Sequence, residues 1–262
     1  MHYQMWLWSK FENVIAHFLI AMMEELIILY YVLFYMFLLM YYHYNDIISY
    51  KEVAYMGKIK LLHGSDHIIE KPDLLLGKTN NDYGRGFYCT QELSMAMEWA
   101  CKKNSDGFVN KYVLEQDSLN ILNLLDGKYN ILHWMALLLK NRTFRLSNEI
   151  AIDACDYIIE NFSIDLKAYD VIIGYRADDS YFSFAESFVQ NGLPLRSLNE
   201  ALHLGRLGTQ TVLISEKSFR NLTFDGADFA DKTVYYPKFI ARDSNARETY
   251  RKEIRNRHSY KN

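Results

Sequence analysis

The sequence predicts an α+β domain behind a hydrophobic helical N-terminal segment. Three observations predict it. Short runs read as strands: KIKLLHGS (58–65), TQTVLIS (209–215) and GFVNKYVLE (107–115), the last of which alternates with period two. Longer runs with apolar residues at helical spacing, such as YNILHWMALLLKNR and NEIAIDACDYIIENF, read as helices. The two kinds follow no regular βαβ alternation, which disfavours a doubly wound parallel sheet.

The N-terminal segment, residues 1–56, holds the run LIILYYVLFYMFLLMYY (26–42), free of charge, glycine and proline. Its length matches the lower limit for crossing a bilayer, and Tyr41, Tyr42 and Tyr44 suit an interfacial belt. It lacks the basic start and small-residue cleavage site of a signal peptide. Three readings stand: a membrane anchor, a helical hairpin packed on the protein or a partner, or sequence ahead of the true start, with Met56 just before the first strand. An anchored protein would keep its cysteine-poor domain on the cytoplasmic side.

The domain is expected over 57–237. After the first strand, a loop with Pro72 and GKTNND leads to a second strand, GFYCT (86–90). QELSMAMEWACKK (91–103) reads as a helix with Leu93, Met97 and Ala100 on one face and Lys102 and Lys103 at its C-terminus. LNILNL (119–124) and YDVIIGYRA (169–177) complete the strands. SYFSFAESFVQN and LRSLNEALHLG are helices stopped by Gly192 and Gly205, and EKSFRNL is a short one. Residues 238–262 form a basic tail, eight Lys/Arg against three Asp/Glu within a chain of net charge −3. That tail reads as a solvated terminal helix or as a docking arm for nucleic acid or an acidic partner.

Several chemistries are excluded. No GxGxxG opens a helix after a strand and no GxxxxGK[ST] occurs, so Rossmann and P-loop nucleotide binding are disfavoured. HExxH, GxSxG and CxxC are absent. His63 and His67 flank Gly64 and Ser65 and do not share a helical face, which argues against zinc. Cys89, Cys101 and Cys155 suggest a reducing compartment. Cys89 would be a nucleophile only with a lowered pKa.

Three residues on strands remain: His63 in LLHGS, Tyr88 in YGRGFYCT and Gln210 in GTQTVLIS. Singly, each suits a structural role. Together, and in this order, they resemble the ADP-ribosyltransferase superfamily, in its H-Y-E branch of diphtheria toxin and the poly(ADP-ribose) polymerases. The chain also resembles a bacterial family of that superfamily often encoded beside a small antitoxin-like partner. The resemblance covers roughly residues 59–224 and implies a split β-sheet with an NAD cleft. It assigns His63 to the adenosine-side ribose, the Gly64 backbone to the carboxamide with Ser65 in support, and Tyr88 to stacking on the nicotinamide. Trp99 would supply a second ring face, Gly86 the turn beside NAD, and Arg85 a phosphate contact. Gln210 falls where the family places glutamate, with Glu216 as a nearby substitute. The implied activity is mono-ADP-ribosyl transfer to a protein or nucleic acid, as a toxin. The rivals are NAD glycohydrolysis, a non-catalytic NAD or ADP-ribose binding module, and a membrane-tethered interaction protein. The stretch GYRADDSYFSFA (174–185) reads either as a helix N-terminus capped by Asp179 or Ser180, or as a cleft loop with Arg176 on a phosphate.

Overall fold

The structure is a computed structural model that describes residues 33–36, 57–177, 179–204 and 208–259. The chain divides into two compact units, Met1–Met56 and Gly57–Asn262. In the first, residues 33–36 are helical and exposed. The rest of the apolar run 26–42, and with it the anchor reading, lies outside the described residues. No helix among the described residues is long and apolar enough to cross a membrane.

The second unit is α+β, with its strands in two sheets. One sheet orders β1 (Lys58–Ser65), β3 (Gly107–Glu115) and β7 (Leu222–Ala230) as β1-β3-β7. The other orders β2 (Phe87–Cys89), β6 (Thr209–Leu213), β5 (Val171–Tyr175) and β4 (Ile121–Asn123) as β2-β6-β5-β4. All pairings are antiparallel except β4 with β5. The sheets meet at a bridge between Leu62 and Thr90, whose N–H groups donate reciprocally to each other's carbonyls at 2.8 and 2.9 Å. Past that bridge β1 and β2 part company, and His63 and Tyr88 stand on either side of the fork.

The alternating strands bury one side into a shared core. Leu61, Cys89, Tyr112, Leu114, Val171 and Leu213 fill the space around the seam, each apolar side chain worth about 1.5–3 kcal/mol when fully buried. A second cluster centres on α2 (Ile131–Asn141), whose Trp134, Met135, Leu137 and Leu138 are buried. Asn130 caps α2 and Asn148 caps α3 (Glu149–Phe162), each side chain accepting a backbone N–H of the first turn.

The helix α1 (Leu93–Ala100) is shorter than its sequence suggests. It ends at Ala100, and Lys102 closes a turn with Ser105 instead of facing a helix end. The cause is crowding: a Cβ on Gly107 would lie 2.1 Å from the carbonyl of Ala100, so chain entering β3 occupies the space a further turn would need. Its inward side is Met95, Ala96, Met97 and Ala100, while Leu93 is exposed. After α4 (Asp179–Val189) the left-handed position falls on Asn191, φ 59°, with Gly192 donating its N–H to Ser187 O. The Gly205 stop after α5 (Leu195–Leu204) lies outside the described residues. Because α4 already includes Asp179, neither Asp179 nor Ser180 is its cap, and the residue before it is also outside the described residues.

Two C-terminal elements complete the unit. The strand β7 is absent from the sequence reading, and it pairs along β3 with a register shift between Asn110 and Tyr112. The final helix α7 (Lys232–Ser259) runs without interruption through position 238, so the basic tail continues a helix that begins inside the domain. Before both in chain order, α6 (Glu216–Arg220) is capped by Ser215 and leads into β7.

Candidate functional site

A cleft of about 1050 Å³ opens at the fork between the sheets. His63, Tyr88, Trp99, Gly86 and Gln210 all line it. The sequence thus nominated five residues, 147 positions apart at the extremes, that the fold brings to one cavity.

His63 is fixed by its neighbours. Its Nδ1 lies 2.7 Å from the carbonyl of Tyr88. A carbonyl only accepts, so Nδ1 carries the proton and Nε2 is left as an acceptor. The ring stacks on Phe87 at 4.4 Å between centroids. Burial lowers its pKa, against the opposing pull of the Tyr88 carbonyl, and keeps the imidazole neutral.

Tyr88 spends its hydroxyl on its own loop. It accepts from Tyr83 N at 3.0 Å and donates to Gly84 O at 2.7 Å. Desolvation raises its pKa, so it offers a ring and not an acid or base. Gly84 has φ +76°, a conformation glycine adopts at no steric cost. The glycine-rich turn is thus closed by the tyrosine it precedes. Burial likewise pushes the Cys89 thiol up, which removes it as a nucleophile.

Gly64 answers to packing. A Cβ there would lie 2.2 Å from Ala96 O and 2.6 Å from Ala100 N, so only glycine lets α1 lie this close to β1. Ser65 donates to His67 O and accepts from Asn110 Nδ2 at 2.9 Å. Asn110, wholly buried, also accepts from Ile69 N at 2.7 Å, and so staples the loop after β1. Ser65 supports that loop and does not line the cleft.

Arg85 is exposed and does not line the cleft. The guanidinium groups there are Arg142, at the end of α2, and Arg176, after β5. Arg176 sits 4.6 Å from the Trp99 ring centroid, covering one of the faces expected to be free for a ligand. The Trp99 indole N–H is buried and has no hydrogen-bond partner. Glu216 begins α6 with its side chain 85% exposed, beside Arg220 rather than the cleft, so it does not replace an acid at position 210.

Among the acids that line the cleft, with Asp73 and buried Glu98, Asp82 is the one bonded to Gln210; the sequence reading left it unremarked in the loop GKTNND. It is 6% exposed. Its Oδ1 accepts from Arg142 Nη1 at 2.9 Å, and its Oδ2 accepts from Ala177 N at 2.9 Å and Gln210 Nε2 at 3.1 Å. Burial holds its carboxyl above the ordinary range in spite of those donors. Gln210 is 3% exposed and gives its second amide hydrogen to Tyr175 O at 3.1 Å. That carbonyl also receives Tyr83 Oη at 2.7 Å and Trp134 Nε1 at 3.2 Å.

One wall comes from α7, through Tyr236, Phe239 and Ile240. Arg242 anchors that helix to α1 by donating to buried Glu98 at 2.6 Å. Among the described residues no group of three His, Cys, Asp or Glu side chains could hold a metal ion.

Fold and site together define an α+β domain built around a ligand-sized cleft at a sheet fork. Its family follows from the sequence match: the chain belongs to the family described as Protein of unknown function (DUF3990), which it matches over residues 59–224. The matched range includes His63, Asp82, Tyr88, Trp99 and Gln210 and stops short of α7. Comparison with curated proteins and with solved structures gave no match.

Proposed function

We propose that the cleft binds NAD and that the protein transfers its ADP-ribose to a macromolecule, with nicotinamide as the leaving group. The observation that carries this reading is the Nδ1–H of His63 bonded to the carbonyl of Tyr88 at the fork. That bond ties the two motif strands together and leaves a neutral Nε2 acceptor, suited to a ribose hydroxyl, beside an aromatic ring on the same cavity. Arg142 and Arg176 supply positive charge for a pyrophosphate, a role expected of Arg85 from the motif and of Arg176 in the cleft-loop reading. The cavity volume is at the upper end of small-ligand sites, enough for a dinucleotide.

In the reaction, the bond between nicotinamide N1 and ribose C1′ breaks. Its electron pair goes to the ring nitrogen, so the pyridinium cation leaves as neutral nicotinamide. The ribose passes through an oxocarbenium-like transition state, as in glycoside hydrolysis. A nucleophilic oxygen or nitrogen of the acceptor then bonds C1′ and loses its proton. Groups fixed in advance around C1′ lower the barrier by favouring the developing charge.

The test incubates the full chain with NAD labelled in its adenylate part and a cell lysate, with His63→Ala and Tyr88→Ala alongside. Label in protein or nucleic acid, lost in both variants, supports the transferase and identifies the acceptor class. Free ADP-ribose alone makes water the acceptor and the protein a glycohydrolase. Thermal protection by NAD without turnover makes it a binding module, and no protection overturns the reading.

A further inference from the structure

We infer that Asp82 is the acid of this site, acting through Gln210: the carboxylate holds and polarises the amide, and Gln210 Oε1 is the atom presented to the ligand. This rests on the NAD reading above.

The orientation of Gln210 follows from its partners. Its two amide hydrogens are taken by Asp82 Oδ2 and Tyr175 O, both at 3.1 Å. Both partners are acceptors, so the reverse orientation would set oxygen against oxygen twice. The amide therefore has one polar atom left, Oε1. A carboxylate accepting from the nitrogen end draws positive character there and increases the negative character of the oxygen, as in any charge-assisted chain. The outcome is an acceptor with part of the character of an anion.

The same geometry explains why position 210 is neutral. A glutamate there would bring a second carboxylate to about the same distance from Asp82 Oδ2 and from Tyr175 O. Two buried carboxylates at that spacing cannot both ionise. Glutamine at 210 and aspartate at 82 thus form one unit. The charge that the resembling family carries at the third position stands here one hydrogen bond behind it. Ala177 N–H and Arg142 take two more lone-pair sites of Asp82, one on each oxygen, so its carboxylate is fixed in direction.

The experiment measures nicotinamide release from NAD by the full chain bearing Asp82→Asn, Gln210→Glu or both, with KM and kcat separated. Asp82→Asn is expected to lower kcat about 10–100-fold, on the scale of losing one preorganised electrostatic contact, with KM for NAD changed less than about threefold. Gln210→Glu alone is expected to fall as well, not to gain. The double variant moves the charge to 210 and the amide to 82, and should recover at least tenfold over either single change. A merely structural role for Asp82 predicts no such rescue. Unchanged kcat in Asp82→Asn, or a gain in Gln210→Glu alone, overturns the inference while leaving the NAD reading intact. If Asp82→Asn does not fold, Gln210→Glu decides by itself. A wild-type chain that neither binds nor cleaves NAD removes the reading and the inference together.

Discussion

Replacing Arg142 by methionine tests how the buried acid is held. The pair spans 2.9 Å, with side chains 26% and 8% exposed for Arg142 and Asp82. At charge separations near 4 Å and an effective dielectric of about 20, the attraction is about 4 kcal/mol. Partial exposure of the arginine reduces this, and Asp82 keeps Ala177 N–H and Gln210 Nε2, so we expect a loss of about 2–3 kcal/mol while the carboxylate is charged. A further part does not depend on Asp82. Arg142 lies 4.5 Å over the Phe182 ring, worth about 0.5–1 kcal/mol. The two parts separate by pH. Asp82 has a folded pKa raised above its unfolded value, so this group's contribution to stability falls as pH rises through that window. Removing Arg142 raises the folded pKa further and extends the window upward. Urea denaturation at pH 5 and pH 8 should show the variant's deficit growing by about 1 kcal/mol or more toward pH 8. A deficit equal at both pH values, or below about 0.5 kcal/mol throughout, would refute the claim that Arg142 holds a buried charge.

Three further outcomes follow from the same geometry. Gly64→Ala sets a Cβ against backbone atoms of α1 and should cost about 1–3 kcal/mol in thermal denaturation; a neutral change means that α1 can shift away freely. Tyr88→Phe strands Tyr83 N–H and Gly84 O and should destabilise by about 1–3 kcal/mol, yet keep the thermal shift that the proposed function expects from NAD, because the ring remains; loss of that shift in the variant alone would give the hydroxyl a binding role. His63 has a depressed folded pKa, so the folded state resists a proton the unfolded chain accepts. Stability should therefore fall as pH drops below about 6.5, and His63→Gln should flatten the profile there; an unchanged profile would mean that the ring protonates freely in place.

The parts of the fold legible in the sequence are those where local pattern and tertiary demand agree. β3 alternates along most of its length, β1 and β6 hold short apolar runs, α2 and α3 carry apolar faces and polar caps, and each lies within a few residues of its expected place. β7 was illegible because Asp225, Gly226 and Asp228 interrupt the apolar pattern of LTFDGADFA, with Asp225 exposed. The fold accommodates them by partnership: Asp228 meets Lys111 at 2.7 Å across the ladder, and Gly226 takes φ +102° beside the register shift. In the site, His63, Tyr88 and Gln210 were legible only together, through the order of motifs that resembles a known superfamily, since each alone suits a structural role; all three line the cleft. Asp82 and Arg142 were not. An aspartate before a glycine turn and an arginine after a helix are ordinary, and only the distance between them in space makes them a pair. Arg85 was preferred for its position in the motif, but an exposed loop tip points a charge to water unless something turns it inward.

The wall built by α7 separates two tasks along the chain. The fork, its two strands and the Asp82–Gln210 unit lie within the residues that match the family, whereas Tyr236, Phe239 and Ile240 come afterward, on a helix held by the Arg242–Glu98 contact. Substitutions in those three side chains would re-contour the cavity without touching the hydrogen bonds that organise its chemistry. The contour of the cavity thus drifts under mutation while its hydrogen-bonded frame stays constant, much as a lock can be rekeyed without replacing its bolt.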